Sequence, residues 1–224
     1  LQHSDKIDSE NQGRGIPNYL GAATISPDGS QAWVPSKQDN IKRGALRDGS
    51  GLNFQNTVRA VSSRIVLASG QEDLARRVDH DNASIDLATL AEDHAARVDH
   101  DNASVASAAA FHPSGAYLFV ALETSREVAV VDAHGGFQVM RFGVGRAPQG
   151  LALSADGKTL YVNNFMDRTV GVYDLQPLLV NGQQSVPLIA NLIAVASDGL
   201  APNVLLGKQH FYDARDPRLA RDRY

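Results

Sequence analysis

Three stretches of the chain share one alternation of apolar and polar positions. Ile25–Val34, Phe111–Val120 and Leu153–Val162 each run from an apolar strand end through a four-residue polar turn into a second strand. The turns are Ser26-Pro27-Asp28-Gly29, His112-Pro113-Ser114-Gly115 and Ser154-Ala155-Asp156-Gly157. Pro27 and Pro113 preset φ at the second turn position, and Gly at the fourth suits a type I turn closing a hairpin. The residues after each turn are β-branched or aromatic, as strands prefer.

The spacing is regular. Phe111 and Leu153 are 42 residues apart. The segment Arg126-Glu127-Val128-Ala129-Val130-Val131-Asp132 returns at the same 42-residue offset as Arg168-Thr169-Val170-Gly171-Val172-Tyr173-Asp174. A period of about 40–45 residues with several strands per unit marks the blade of a β-propeller. Blades are predicted at roughly 19–69, 105–142 and 150–195. In the first, inner strands are expected at Gly21–Ile25 and Ala32–Val34, and two outer strands at Thr57–Val61 and Arg64–Ala68. The polar stretch Lys42–Asn56 is expected to be a loop. In the third, Val180–Ser185 is expected to be a loop before a last strand at Leu188–Val195.

A second repeat of different period interrupts the blades. Gln71–Ser84 recurs as Ala91–Ser104 at an offset of 20 residues. Ala, Leu, Glu and Arg dominate it, so short helices are predicted near 72–79 and 86–98. The simplest origin is a tandem duplication tolerated in a surface loop. Near the C-terminus, Leu200, Val204, Leu205 and Phe211 fit a helical stripe. From Ala214 to Tyr224 Arg and Asp alternate without an apolar period, which alone would be solvated and favours intramolecular pairing or docking on another domain. The expected organisation is an N-terminal extension (1–16), a blade (17–70), a helical insertion (71–104), two blades (105–196) and a linker into a further domain (197–224). The predicted fold class is all-β: a partial propeller of about three four-stranded blades, with a small helical insertion and a partly helical tail.

Composition narrows the chemistry. The chain has 224 residues, 43% hydrophobic and 21% charged, and a net charge of -4. No global basic surface recruits nucleic acid, and no partner of that class is expected. No apolar run of about 18 residues occurs, so no membrane-spanning helix is predicted. There is no Cys, which excludes disulfides, thiolate metal sites, Cys nucleophiles and covalent haem within these residues.

The most site-like residues are Asp79, His80, Asp81 and, in the second copy, Asp99, His100, Asp101. A His flanked by carboxylates can bind a divalent cation or act as a general base. The competing reading is that Asp and Asn cap or end helices and the motif recurs because the segment is duplicated. Glu72-Asp73 and Glu92-Asp93 would then suit helix starts. His112 fills the turn slot of Ser26 and Ser154 and reads as structural. The glycine-bearing stretch Gly143–Gly150 is not a phosphate loop, because no helix follows it and no Lys-Ser/Thr ends it. It reads as the link between blades, with Arg146 and Gln149 as candidates to face the channel end and meet a ligand. No Gly-x-Ser-x-Gly elbow stands out.

The blade pattern, above all Tyr161-Val162-Asn163-Asn164 followed by Thr169-Val170-Gly171-Val172-Tyr173-Asp174, resembles the YVTN family of bacterial β-propeller repeats, and is similar to lactonase-type propellers. The segment Gly207-Lys208-Gln209-His210-Phe211-Tyr212-Asp213 with Arg218-Leu219-Ala220 resembles the opening helix of a cytochrome c domain of the di-haem peroxidase type. His210 stands where that family has an apolar residue. Together the resemblances imply a periplasmic or extracellular bacterial haem protein. No cofactor would lie within this chain, and haem c would be attached in its continuation. The implied partners are the remaining blades and a cytochrome c domain, with self-association through open blade edges as a further expectation. The implied role is structural and non-catalytic, inside a c-type haem oxidoreductase. Two alternatives stand beside it: a lactonase-like or oxidoreductase propeller with its site at the channel end, and a divalent-metal module built on the duplicated Asp-His-Asp-Asn motif.

Overall fold

A blade can bury both faces of its sheet only between two neighbours, and the middle sheet of this protein shows the consequence. The computed structural model describes residues 1–3, 14–39, 58–73, 77–79, 105–216 and 218. In order the strands are β1 (Ile16–Asn18), β2 (Thr24–Ile25), β3 (Gln31–Asp39), β4 (Val58–Val66), β5 (Gln71–Glu72) and β6 (Val78–Asp79). They continue as β7 (Ala106–Phe111), β8 (Tyr117–Leu122), β9 (Glu127–Asp132) and β10 (Phe137–Gly143). The third set is β11 (Pro148–Leu153), β12 (Thr159–Asn164), β13 (Thr169–Asp174) and β14 (Leu188–Ile193). Two helices, α1 (Gln176–Asn181) and α2 (Pro202–Phe211), complete the described elements.

The strands form three antiparallel sheets: one containing β1–β6, one of β7–β10 and one of β11–β14. The six strands of the first occupy four positions, because β1 and β2 share one edge of β3 while β5 and β6 share the far edge of β4. The fold is therefore a partial β-propeller of three blades. The first strand of the middle blade, β7, lies against both β2 and β11, so the three blades converge on their first strands.

Alternate residues of the middle blade serve opposite neighbours. Leu118, Val120 and Leu122 of β8 and Ala129 and Val131 of β9 join Trp33 and Ala60 of the first blade in one core. Phe119 of β8 and Val128 and Val130 of β9 join Leu160, Val162 and Tyr173 of the third in another. This is why Tyr117–Leu122 and Val128–Val131 read as continuous apolar runs. Each large side chain buried this way contributes about 1.5–3 kcal/mol.

Three expectations need correction. Thr57–Val61 and Arg64–Ala68 are not two strands. They belong to one strand, β4, because Ser62 and Ser63 stay in register opposite Pro35 and Val34 and are fully buried. Both described ends of the helix expected at 72–79 are strand instead: Gln71–Glu72 and Val78–Asp79 pair with β4 as its outer neighbours. Edge pairing and the buried Arg77–Glu72 ion pair override the helical propensity of the local sequence. The helix expected at 86–98 lies outside the described residues. The loop at Val180–Ser185 begins inside α1, which carries Pro in its first turn and stops at Gly182 with φ 62°. The stripe expected near the C-terminus does fall largely on a helix, α2, no residue of which is buried.

Candidate functional site

Each blade's first strand begins with a kink. The pairing of β7 with β8 slips between Ala106 and Ala108, and that of β11 with β12 between Pro148 and Gly150. The bulged residues are thus Ser107 and Gln149, at equivalent repeat positions. Left-handed residues precede them, Val105 at φ 57° and Ala147 at φ 49°. In the first blade Tyr19, at φ 49°, lies in the break between β1 and β2. Bulges of this kind leave a residue outside the ladder and re-aim its side chain.

Where these three breaks meet, the surface opens into a cleft of ≈ 310 Å³ lined by Tyr19, Leu20, Gly21, Ser107, Glu123 and Gln149. Gly21 is required there by close approach, because a Cβ would lie 2.4 Å from the Ser107 carbonyl oxygen. Glu123 directly follows β8 and is only 3% exposed. Its Oε1 accepts a hydrogen bond from Gln149 Nε2 at 2.8 Å. Burial pushes the Glu123 carboxyl above its ordinary pKa, and the Gln149 hydrogen bond opposes this only in part. The Ser107 hydroxyl donates to the Pro148 carbonyl at 2.7 Å.

The structure separates the two residues expected at the channel end. Gln149 lines the cleft. Arg146 does not, and instead belongs to an ion-pair network beside it. Its Nη1 lies 3.0 Å from Asp167 Oδ1 and its Nε 3.2 Å from Asp213 Oδ2. Burial opposes the charge on Arg146, but hydrogen bonds and attraction from Asp167 and Asp213 outweigh it and its pKa rises. Arg126 Nη1 reaches the same Asp213 oxygen at 3.3 Å, and the Ala214 amide donates to the Thr124 carbonyl at 3.0 Å.

This network straps the C-terminal segment to the ends of two blades. Arg126 and Arg168 occupy equivalent left-handed turn positions, φ 57° and φ 55°. Arg168 pairs with Asp198 as Arg126 pairs with Asp213. Between these anchors Gln209 Nε2 donates to the Met166 carbonyl at 3.2 Å, and the Lys208 ammonium lies 5.1 Å from the Phe165 ring centroid. Val204, Leu206 and Phe211 of α2 face solvent at 52%, 52% and 81% exposure. The expectation of intramolecular Arg–Asp pairing in the tail thus holds as far as residue 218. His210 Nδ1 lies 2.9 Å from Asp216 Oδ2, and Arg218, the main cause, holds the Asp216 carboxyl well below the usual carboxylate range.

Of the metal candidates, Asp79 is the last residue of β6, and His80, Asp81, Asp99, His100 and Asp101 lie outside the described residues. Among the described residues no group of three His, Asp or Glu side chains is placed to hold a metal. His112 has the structural role expected of it: Nδ1 bonds Ser114 Oγ at 2.7 Å and Nε2 the Gly157 carbonyl of the next blade at 3.1 Å.

Glu123 and Ser107 escaped sequence reasoning. One signal was available, since Glu123 ends an apolar strand where the sibling repeat has Phe165.

No protein-family model matches the sequence, and neither does any curated protein. Solved structures do. Hydrazine synthase from Kuenenia stuttgartiensis superposes with a TM-score of 0.52 at 18% identity, over 70% of this chain and 46% of that one. A protein from Lactobacillus plantarum superposes with a TM-score of 0.51 at 17% identity, over 82% of this chain and 44% of that one. A periplasmic gluconolactonase from Pseudomonas aeruginosa gives a TM-score of 0.47 at 17% identity, over 80% of this chain and 55% of that one. The chain thus spans less than half the length of the first two. At such identities the likeness is one of fold, and that fold is the β-propeller.

Proposed function

We propose that this chain is a non-catalytic interaction portion of a larger periplasmic haem protein, in which the propeller positions or covers a cytochrome c-type domain. The observation that carries this reading is the strap. Residues 198–213 are held on the blade ends by Arg168–Asp198 and by Arg126 and Arg146 on Asp213. The helix between these anchors turns Val204, Leu206 and Phe211 outward. Polar anchoring beneath and apolar residues above make a fixed platform for another domain, since an exposed apolar cluster favours burial against a partner. The haem assignment itself rests on the resemblance of Gly207–Asp213 and Arg218–Ala220 to the opening of a cytochrome c domain.

The outer face of the third blade supports an interaction role independently. Tyr161 of β12, 36% exposed, lies on the side away from the middle blade. It stands 42 residues after Phe119, a side chain with which the middle blade grips the third. The lactonase-like alternative has no comparable observation in its favour.

The test uses the full natural polypeptide. The reading frame beyond Tyr224 is expected to encode Cys-x-x-Cys-His within a short distance. A photo-crosslinker at Phe211 is expected to trap the haem-bearing domain, and Leu206→Ser with Phe211→Ser to reduce that yield severalfold. A frame without the motif removes the haem reading. A motif present but never crosslinked from position 211 removes the platform.

A further inference from the structure

The cleft at the channel end is lined by hydrogen-bond acceptors. Glu123 contributes a carboxyl that is 3% exposed, and one of its oxygens is bonded to Gln149 Nε2. The second oxygen, Oε2, meets no protein donor among the described residues. Gln149, which lines the cleft, has committed an amide hydrogen to Glu123, and its carbonyl oxygen can act only as an acceptor. Ser107 has committed its single hydroxyl hydrogen to Pro148, so only lone pairs remain. Among the described residues no Lys, Arg or His lines the space. Tyr19 and Leu20, 65% and 57% exposed, supply an aromatic and an aliphatic wall.

We propose that this cleft binds a small organic cation, a primary ammonium group on a short apolar stem. Three acceptors suit the three N–H donors of an ammonium. Glu123 supplies the opposite charge, and Tyr19 a π-face for a cation beside it. Anionic ligands are disfavoured, because no described residue of the lining neutralises them. Burial opposes the ionised form of Glu123 in the free protein, and an ammonium ligand restores it. Binding therefore releases a proton at acidic pH, and affinity rises as pH rises through the Glu123 pKa. Among the described residues Glu123 is the sole charged one in the lining, and the neighbouring Arg146, Asp167 and Asp213 are committed to one another. This binding role stands apart from the platform on α2 and survives its failure.

The experiment is a titration of the whole chain with n-butylammonium, followed by amide chemical shifts and calorimetry. Ac-Gly-Lys-Gly-amide serves as a second probe and n-butanol as the uncharged control. The expected result is saturable shifts at Gly21, Ser107 and Gln149 with n-butylammonium and none with n-butanol. A preference for the lysyl tripeptide would identify a protein side chain as the source of the ammonium, and a preference for the free amine a metabolite. Glu123→Gln is expected to weaken binding at least tenfold. The unmodified chain keeps the idea falsifiable if that variant does not fold, because its affinity must fall severalfold between neutral and acidic pH. Equal binding of n-butanol, a pH-independent affinity, or no saturable shift with either cation overturns the proposal.

Discussion

At the scale of single residues, the blade turns show how one substitution in a repeat acquires a new duty. Ser26 and Ser154 bond the aspartate two residues on, Asp28 and Asp156, inside their own turns. His112, in the same slot, closes its turn on Ser114 and also reaches the Gly157 carbonyl of the next blade. Gly157 has φ +72°, and an added Cβ would lie 2.4 Å from His112 Nε2; Gly29 has φ +69° with nothing within 4 Å. The two glycines therefore separate backbone strain from packing. Gly29→Ala is expected to lose about 1 kcal/mol from strain alone. Gly157→Ala is expected to lose about 2–3 kcal/mol, since His112 must also give up its inter-blade bond. Urea melts of both variants check this, and His112→Ala should shrink the difference between them. Equal losses at the two sites would show that the His112 contact contributes nothing. The structural role of His112 was legible in its turn slot, but its partner was not, because 45 residues separate the two.

At the scale of elements, the repeat made β7 to β13 legible, and two features hid the rest. A strand is recognised by its ends, and β4 carries turn-like Ser62 and Ser63 in its middle; only the facing strand β3 keeps them paired. Strands β5 and β6 have two residues each, too few for any period, and the edge of β4 defines them. The middle blade, apolar on both faces, depends on its neighbours most. Phe119 is fully buried in the core shared with the third blade, and Phe119→Ala is expected to destabilise the chain by about 3–5 kcal/mol. Trp33, fully buried in the other core, should cost a similar amount on truncation. Thermal melts followed at β13 amides and at β3 amides decide whether the blades unfold together. If Phe119→Ala lowers the melting of β13 but leaves β3 unchanged, the stack is a series of weakly coupled units.

At the scale of the whole molecule, charge fastens the C-terminal segment across two blades. Asp213 is 4% exposed and meets two arginines that are about one-third exposed. Salt weakens such partly exposed pairs, the screening length falling from about 10 Å at 0.1 M to about 3 Å at 1 M. Hydrogen exchange of the Ala214 amide, bonded to Thr124, is expected to quicken severalfold over that range. Asp213→Asn should reproduce the effect at low salt. An exchange rate indifferent to both would mean that packing holds the strap. The sequence by itself determined the architecture. A 42-residue period of strands and turns is local information, repeated, and it specifies blades wherever they stack. Charge alternation in the tail likewise announced Arg–Asp pairing. Only the tertiary structure decided which groups share a site. Ser107, Glu123 and Gln149 come from two blades, and the bulges at Ser107 and Gln149 help gather them into one cleft. Arg146 sits three residues from Gln149 and yet turns away to Asp213. Such convergence depends on how blades stack and where their ladders slip, and residue type along the chain does not encode that directly.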